Sequence, residues 1–181
     1  MAARRRMEAV KGAVFSLLTD AYQQRDRVGV ISFRGLNAEV MLPPTSSIEL
    51  ARKHLQRLPT GGRTPLAHAL SLTYDTLNRV LKQEGDQATL LIVLSDGKAN
   101  VPIPESSLSS PSNNGNATND AWNQTIQIAS KVDSLRSPTL MLDTDSGHVR
   151  IGRGKVLSEH LQASFLQFAE LSFYGLIHTI L

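Results

Sequence analysis

The chain has 181 residues, 41% of them hydrophobic and 19% charged, which is the composition of one globular domain with a sizeable core and excludes a disordered chain. The absence of cysteine excludes disulfides, thiolate metal sites and cysteine nucleophiles, and fits a reducing compartment. The formal net charge is only +3, drawn in large part from Arg4-Arg5-Arg6, and no basic stripe with interleaved aromatics accompanies it, so nucleic-acid binding is not expected.

Met7, Val10, Val14, Leu17 and Ala21 recur at helical spacing and predict a helix from about Arg5 to Gln24. A strand over Val28–Phe33, a turn at Arg34-Gly35-Leu36-Asn37 and a strand over Ala38–Leu42 predict an antiparallel hairpin, closed by Pro43-Pro44. Thr45, Ser46 or Ser47 is placed to cap a short helix over Ile48, Leu50, Leu55 and Leu58, and Pro59 ends it. In Gly61-Gly62-Arg63-Thr64-Pro65-Leu66, the spacing predicts Thr64 at a helix N-cap and Pro65 at the first helical position. Leu66, Leu70, Thr73, Leu77 and Val80 mark the buried face of that helix.

The unbroken apolar run Leu90–Leu94 is too short for a helix and too continuous for a half-exposed strand, the pattern of a parallel strand covered on both faces. It ends in Ser95-Asp96-Gly97, which places Asp96 at the carboxyl edge, where ligands bind in open α/β sheets. Val101 to Asn119 is rich in proline, serine and asparagine and reads as a loop or insertion. Trp122, Ile126, Ala129 and Val132 predict a helix, and Thr139–Asp143 a second buried strand. A turn over Asp143–Gly147, a short strand near Val149–Ile151, a helix near Lys155–Gln162, a strand near Ser164–Phe168 and a helix from Leu171 complete the order. No stretch is long and apolar enough to predict a membrane span, and the start does not read as a signal peptide.

This order predicts an α/β fold, a doubly wound and mostly parallel sheet with one antiparallel edge strand, in a single domain. Right-handed crossovers would bring the Gly61–Thr64 and Ser95–Asn100 loops to one sheet edge, where the Thr64 hydroxyl and the Asp96 carboxylate form a hard-oxygen pair suited to Mg²⁺. Each has a plainer reading: Thr64 as a helix cap, Asp96 as a turn residue bonding nearby N–H groups. His68, one turn along the same helix, reads as a packing or partner contact rather than a ligand. Asp143-Thr144-Asp145 after a buried strand also has the form of a phosphatase nucleophile motif, but that motif normally opens its fold, and only a short stretch follows it here.

Gly61-Gly62-Arg63-Thr64-Pro65-Leu66 and Leu94-Ser95-Asp96-Gly97 resemble the second and third segments of the metal-ion-dependent adhesion site of von Willebrand factor A domains. More narrowly, Arg25-Asp26-Arg27-Val28, Ser32-Phe33-Arg34-Gly35, Ala38 to Thr45, Pro65-Leu66-Ala67-His68, Asp96-Gly97-Lys98-Ala99-Asn100, Leu142-Asp143-Thr144-Asp145 and Val149-Arg150-Ile151-Gly152 resemble the carboxy-terminal domain of the magnesium chelatase D subunit family. The resemblance implies metal ligands at Thr64 and Asp96, with Mg²⁺ as the cofactor. The family's first segment, Asp-x-Ser-x-Ser after an opening central strand, has no counterpart, and Met1 falls where that segment ends. The chain is therefore expected to be a fragment or an internal start, with weakened metal binding.

The implied function is an interaction domain supporting ATP-dependent insertion of Mg²⁺ into protoporphyrin IX, partnered by a AAA+ ATPase subunit and a large porphyrin-binding subunit, in the cytoplasm or chloroplast stroma. No autonomous active site is expected, and no Gly-x-x-x-x-Gly-Lys-Ser/Thr loop predicts ATP binding by this chain. The other reading is a free-standing von Willebrand A-type adhesion or scaffolding domain unrelated to tetrapyrroles.

Overall fold

The computed structural model of the chain describes residues 12, 15–17, 19–47, 49, 50, 53, 62–85, 88–103, 117–144 and 152–167. Residues 12, 15–17 and 19–23 are helical, in line with the helix expected from Arg5 to Gln24; the rest of that span lies outside the described residues. Strands β1 (Val28–Arg34) and β2 (Asn37–Thr45) form a two-stranded antiparallel sheet, the expected hairpin. Gly35, at φ +67°, makes the turn between them without the penalty a Cβ would bring.

The expected stop at Pro43-Pro44 does not occur, because β2 continues to Thr45. Proline is tolerated in a strand with an open edge, where one missing N–H costs no ladder bond. Gly29 makes room across the pair, since a Cβ there would lie 3.3 Å from Pro44 Cγ. Of the three candidate caps that follow, Ser47 is the one used: its Oγ accepts the Leu50 N–H at 3.4 Å, and residues 49, 50 and 53 are helical.

The chain divides into two compact units, one of Met1–Ser32, Glu39–Gly61 and Leu171–Leu181, the other of Phe33–Ala38 and Gly62–Glu170. The second contains helix α1 (Leu66–Glu84), strand β3 (Leu91–Ser95), helix α2 (Ala117–Asp133), strand β4 (Thr139–Asp143), helix α3 (Arg153–His160) and strand β5 (Ser164–Gln167). Its strands lie parallel in the order β3-β4-β5, with Ser95 opposite Asp143 and Asp143 opposite Gln167.

Register explains the core. Val93, Met141 and Phe165 stand in one row across the three strands, and this face meets Leu66, Ala67 and Leu70 of α1, Ile128, Ala129 and Val132 of α2, and Leu157 of α3 with Leu161 just after it. Each fully buried leucine here contributes about 1.5–3 kcal/mol relative to exposure. On the opposite face Leu140 and Leu142 are also buried, as a strand covered on both sides requires.

The structure shifts the centre from β3 to β4. Four of the five β4 residues are buried, whereas in β3 only Val93 and Ser95 are, with Leu91, Ile92 and Leu94 half-buried. The cause is position: β4 has a strand on each side, and β3 pairs with β4 alone among the described residues. Helix α2 starts at Ala117, inside the stretch expected to be loop, and residues 104–116 of that stretch lie outside the described residues. The strand expected near Val149–Ile151 and the helix expected from Leu171 also lie outside them.

Candidate functional site

Asp96 follows β3 directly, at the carboxyl edge of the parallel sheet. The loop turns back on itself: the Ser95 Oγ accepts the Gly97 N–H at 3.2 Å, and Gly97 adopts φ +70°. Both oxygens of the Asp96 carboxylate are engaged by one residue. Oδ1 accepts the Lys98 backbone N–H at 3.1 Å, and Oδ2 meets the Lys98 ammonium at 3.0 Å. The turn reading of Asp96 is therefore realised in the hydrogen bonds. The Asp96 side chain remains 32% exposed and the Lys98 side chain 52%, so solvent screens the ion pair.

Thr64 does not cap α1. The helix begins at Leu66, with Pro65 in the N-cap position and no side-chain cap hydrogen bond. The physical reason lies in the neighbouring loop, which holds the Thr64 backbone from both sides: its N–H donates to Asn100 Oδ1 at 2.7 Å, and its carbonyl accepts the Asn100 N–H at 3.3 Å. Among the described residues the Thr64 hydroxyl has no hydrogen-bond partner. This clasp brings the Thr64 segment and the Asp96 loop together, as the order of elements predicted. Asn100 was not singled out in the sequence, although an asparagine four residues past the strand-end aspartate is a residue type suited to bridging loops.

A second close approach fixes the same loop. A Cβ at Gly97 would lie 2.8 Å from Gly154 Cα and 2.9 Å from the Arg153 carbonyl carbon. A Cβ at Gly154 would in turn lie 3.2 Å from Asp143 Oδ2. The ends of β3 and β4 thus meet the first turn of α3 through two glycines. Arg153 turns away to lie 5.1 Å over the Trp122 ring of α2, a cation–π contact.

His68 serves the hairpin: its Nδ1 accepts the Ala38 N–H at 3.1 Å, a packing role rather than ligation. Among the described residues no group of three or more His, Cys, Asp or Glu is arranged to hold a metal. The donors at this edge are hard oxygens, an unpartnered hydroxyl and a carboxylate that already holds a cationic group. In kind they fit Mg²⁺, with water completing the shell.

A parallel three-stranded sheet with helices between its strands and polar loops at its carboxyl edge defines the class as an α/β domain. The chain belongs to the von Willebrand factor type A domain family, whose model matches residues 1–98 and so includes both Thr64 and Asp96. It is 37% identical over 173 residues to an uncharacterized protein of Methanocaldococcus jannaschii, covering 95% of this chain and 91% of that one. It is 33% identical over 156 residues to the magnesium-chelatase 67 kDa subunit of Chlorobaculum parvum, and 35% identical over 139 residues to the magnesium-chelatase 60 kDa subunit of Cereibacter sphaeroides. Those matches cover 86% and 77% of this chain but only 25% and 23% of the two subunits, so the chain spans about a quarter of their length. The crystal structure of the conserved hypothetical protein BatB from Bacteroides thetaiotaomicron shares the fold, at a TM-score of 0.64 and 15% identity over 96% of this chain and 84% of that one. No helix among the described residues is long and apolar enough to cross a membrane.

Proposed function

We propose that this chain is an interaction module of the magnesium chelatase D type, which docks on its partners through a Mg²⁺ ion held by Thr64 and Asp96. The observation that carries the proposal is the Asn100 clasp, which joins the hydroxyl-bearing and carboxylate-bearing loops at one sheet edge. The ion supplies a bridging charge with a coordination position left for an acidic side chain of the AAA+ ATPase or the porphyrin-binding subunit. This chain's residues do the rest. Asp96 neutralises charge, Thr64 offers a neutral oxygen, and Asn100 keeps the two loops in register. The likeness to magnesium-chelatase subunits supports the choice of partners.

The test is binding of purified chelatase subunits with and without EDTA, in wild type and Asp96→Ala. Binding lost on chelation and in the variant is the expected result. Equal binding in all four cases removes the metal bridge and returns Asp96 to a turn.

The archaeal relative favours a second reading, since this chain spans 91% of its length. On that reading the domain is a free-standing adhesion or scaffolding module, with the same cation site and partners unrelated to tetrapyrroles. Failure to bind either chelatase subunit, with Mg²⁺ binding retained, would select it.

A further inference from the structure

We propose that Lys98 is a tethered counter-cation that closes the Asp96 site and must be displaced for Mg²⁺ to enter. The inference rests on the proposed cation site and adds its regulation. Three observations carry it. The Lys98 ammonium lies 3.0 Å from Asp96 Oδ2, against one of the two oxygens a metal would use. The Lys98 backbone N–H takes the other oxygen, at 3.1 Å, so a single residue engages both oxygens of the carboxylate. The side chain is 52% exposed, which leaves it room to swing into solvent.

The backbone bond and the ammonium bond have different fates. The loop is locked by Gly97 against Gly154 and by Asn100 against Thr64, so the Lys98 N–H stays with Oδ1 whatever the ammonium does. The ammonium sits at the end of four rotatable methylenes, and its pair with Asp96 is solvent-screened, the weak kind. A dication with its charge concentrated at one point outcompetes it at sufficient concentration, and the two cations repel each other at that range. Lys98 thereby sets a threshold. At low Mg²⁺ the edge presents a neutralised carboxylate, and at high Mg²⁺ it presents a metal with the lysine released.

Magnesium binding to the full chain, measured calorimetrically with MgCl₂ as the only ligand, tests this in wild type, Lys98→Met, Lys98→Arg and Asp96→Ala. Lys98→Met is expected to bind Mg²⁺ about three- to tenfold more tightly than wild type, and Lys98→Arg close to wild type. A second readout follows the ammonium itself: reductive methylation of Lys98, read by mass spectrometry, is expected to quicken with MgCl₂ in wild type and to be indifferent to it in Asp96→Ala. Equal affinity in wild type and Lys98→Met, with Asp96→Ala still abolishing binding, overturns the counter-cation and leaves the metal site standing. No Mg²⁺ binding in any of the chains overturns the site and the counter-cation together.

Discussion

Gly97 and Gly154 touch backbone to backbone: a Cβ on Gly97 would stand 2.8 Å from the Gly154 Cα, and Gly97 itself holds φ +70°. The contact fastens the loop after β3 to the first turn of α3, and both residues are buried. Gly97→Ala meets two penalties at once, a side chain in the left-handed region and an overpacked contact against main chain that cannot rotate away. A loss of about 2–4 kcal/mol in urea unfolding is expected. A loss under about 0.5 kcal/mol would mean that the two loops part readily.

The missing cap at α1 gives a contrast between two neighbours. Thr64→Ala should leave stability within about 0.5 kcal/mol of wild type, because no cap hydrogen bond is lost. Asn100→Ala removes the acceptor of the Thr64 N–H and should cost about 1–2 kcal/mol. Denaturant midpoints of the two variants check the order, and a larger loss at Thr64 would restore the cap.

Magnesium chelation offers a third comparison, in stability rather than in partner binding. If Asp96 and Thr64 hold the ion, MgCl₂ at about 100 times its Kd should stabilise the fold by about 2.7 kcal/mol, a gain lost in Asp96→Ala. A thermal midpoint that ignores MgCl₂ and EDTA alike would count against the site.

Backbone geometry along β3 makes a fourth prediction. The Leu91 N–H donates to the Pro138 carbonyl and the Ser95 carbonyl accepts the Thr144 N–H, so Leu91, Val93 and Ser95 face β4. The groups of Ile92 and Leu94 then face the opposite edge, where no further strand stands among the described residues. An extended segment ending Asp-x-Ser-x-Ser, fused ahead of Met1, should pair there and raise the thermal midpoint. Hydrogen exchange is the discriminating measurement: the Ile92 and Leu94 amides should slow while Leu91 changes little. Unchanged exchange at both would place the added segment elsewhere.

Sequence periodicity was most informative where one rule acted alone. The apolar run at Thr139–Asp143 is a strand with those same bounds, and Leu66, Leu70 and Thr73 are buried on one helix face as their spacing requires. It was less informative where a local signal competed with tertiary contacts. Thr64-Pro65 has the form of a helix start, yet the Thr64 backbone is claimed by Asn100, which is distant in sequence. Pro43-Pro44 signals a break, yet the space above Gly29 accommodates a proline ring within the strand. The position of Asp96 at the sheet edge was legible from its strand. The engagement of both its oxygens by Lys98 was not, because lysine two residues on reads equally well as ordinary surface.

The Arg153–Trp122 stack has a practical consequence. Trp122 is the only tryptophan in the chain, and the guanidinium lying 5.1 Å above its ring belongs to the residue whose main chain Gly97 presses upon. Tryptophan fluorescence therefore comes from one indole, which lies under the guanidinium of the residue whose main chain meets Gly97. The domain thus carries a single tryptophan reporter next to that backbone contact, so unfolding of this part of the chain can be followed in the unlabelled protein by its emission.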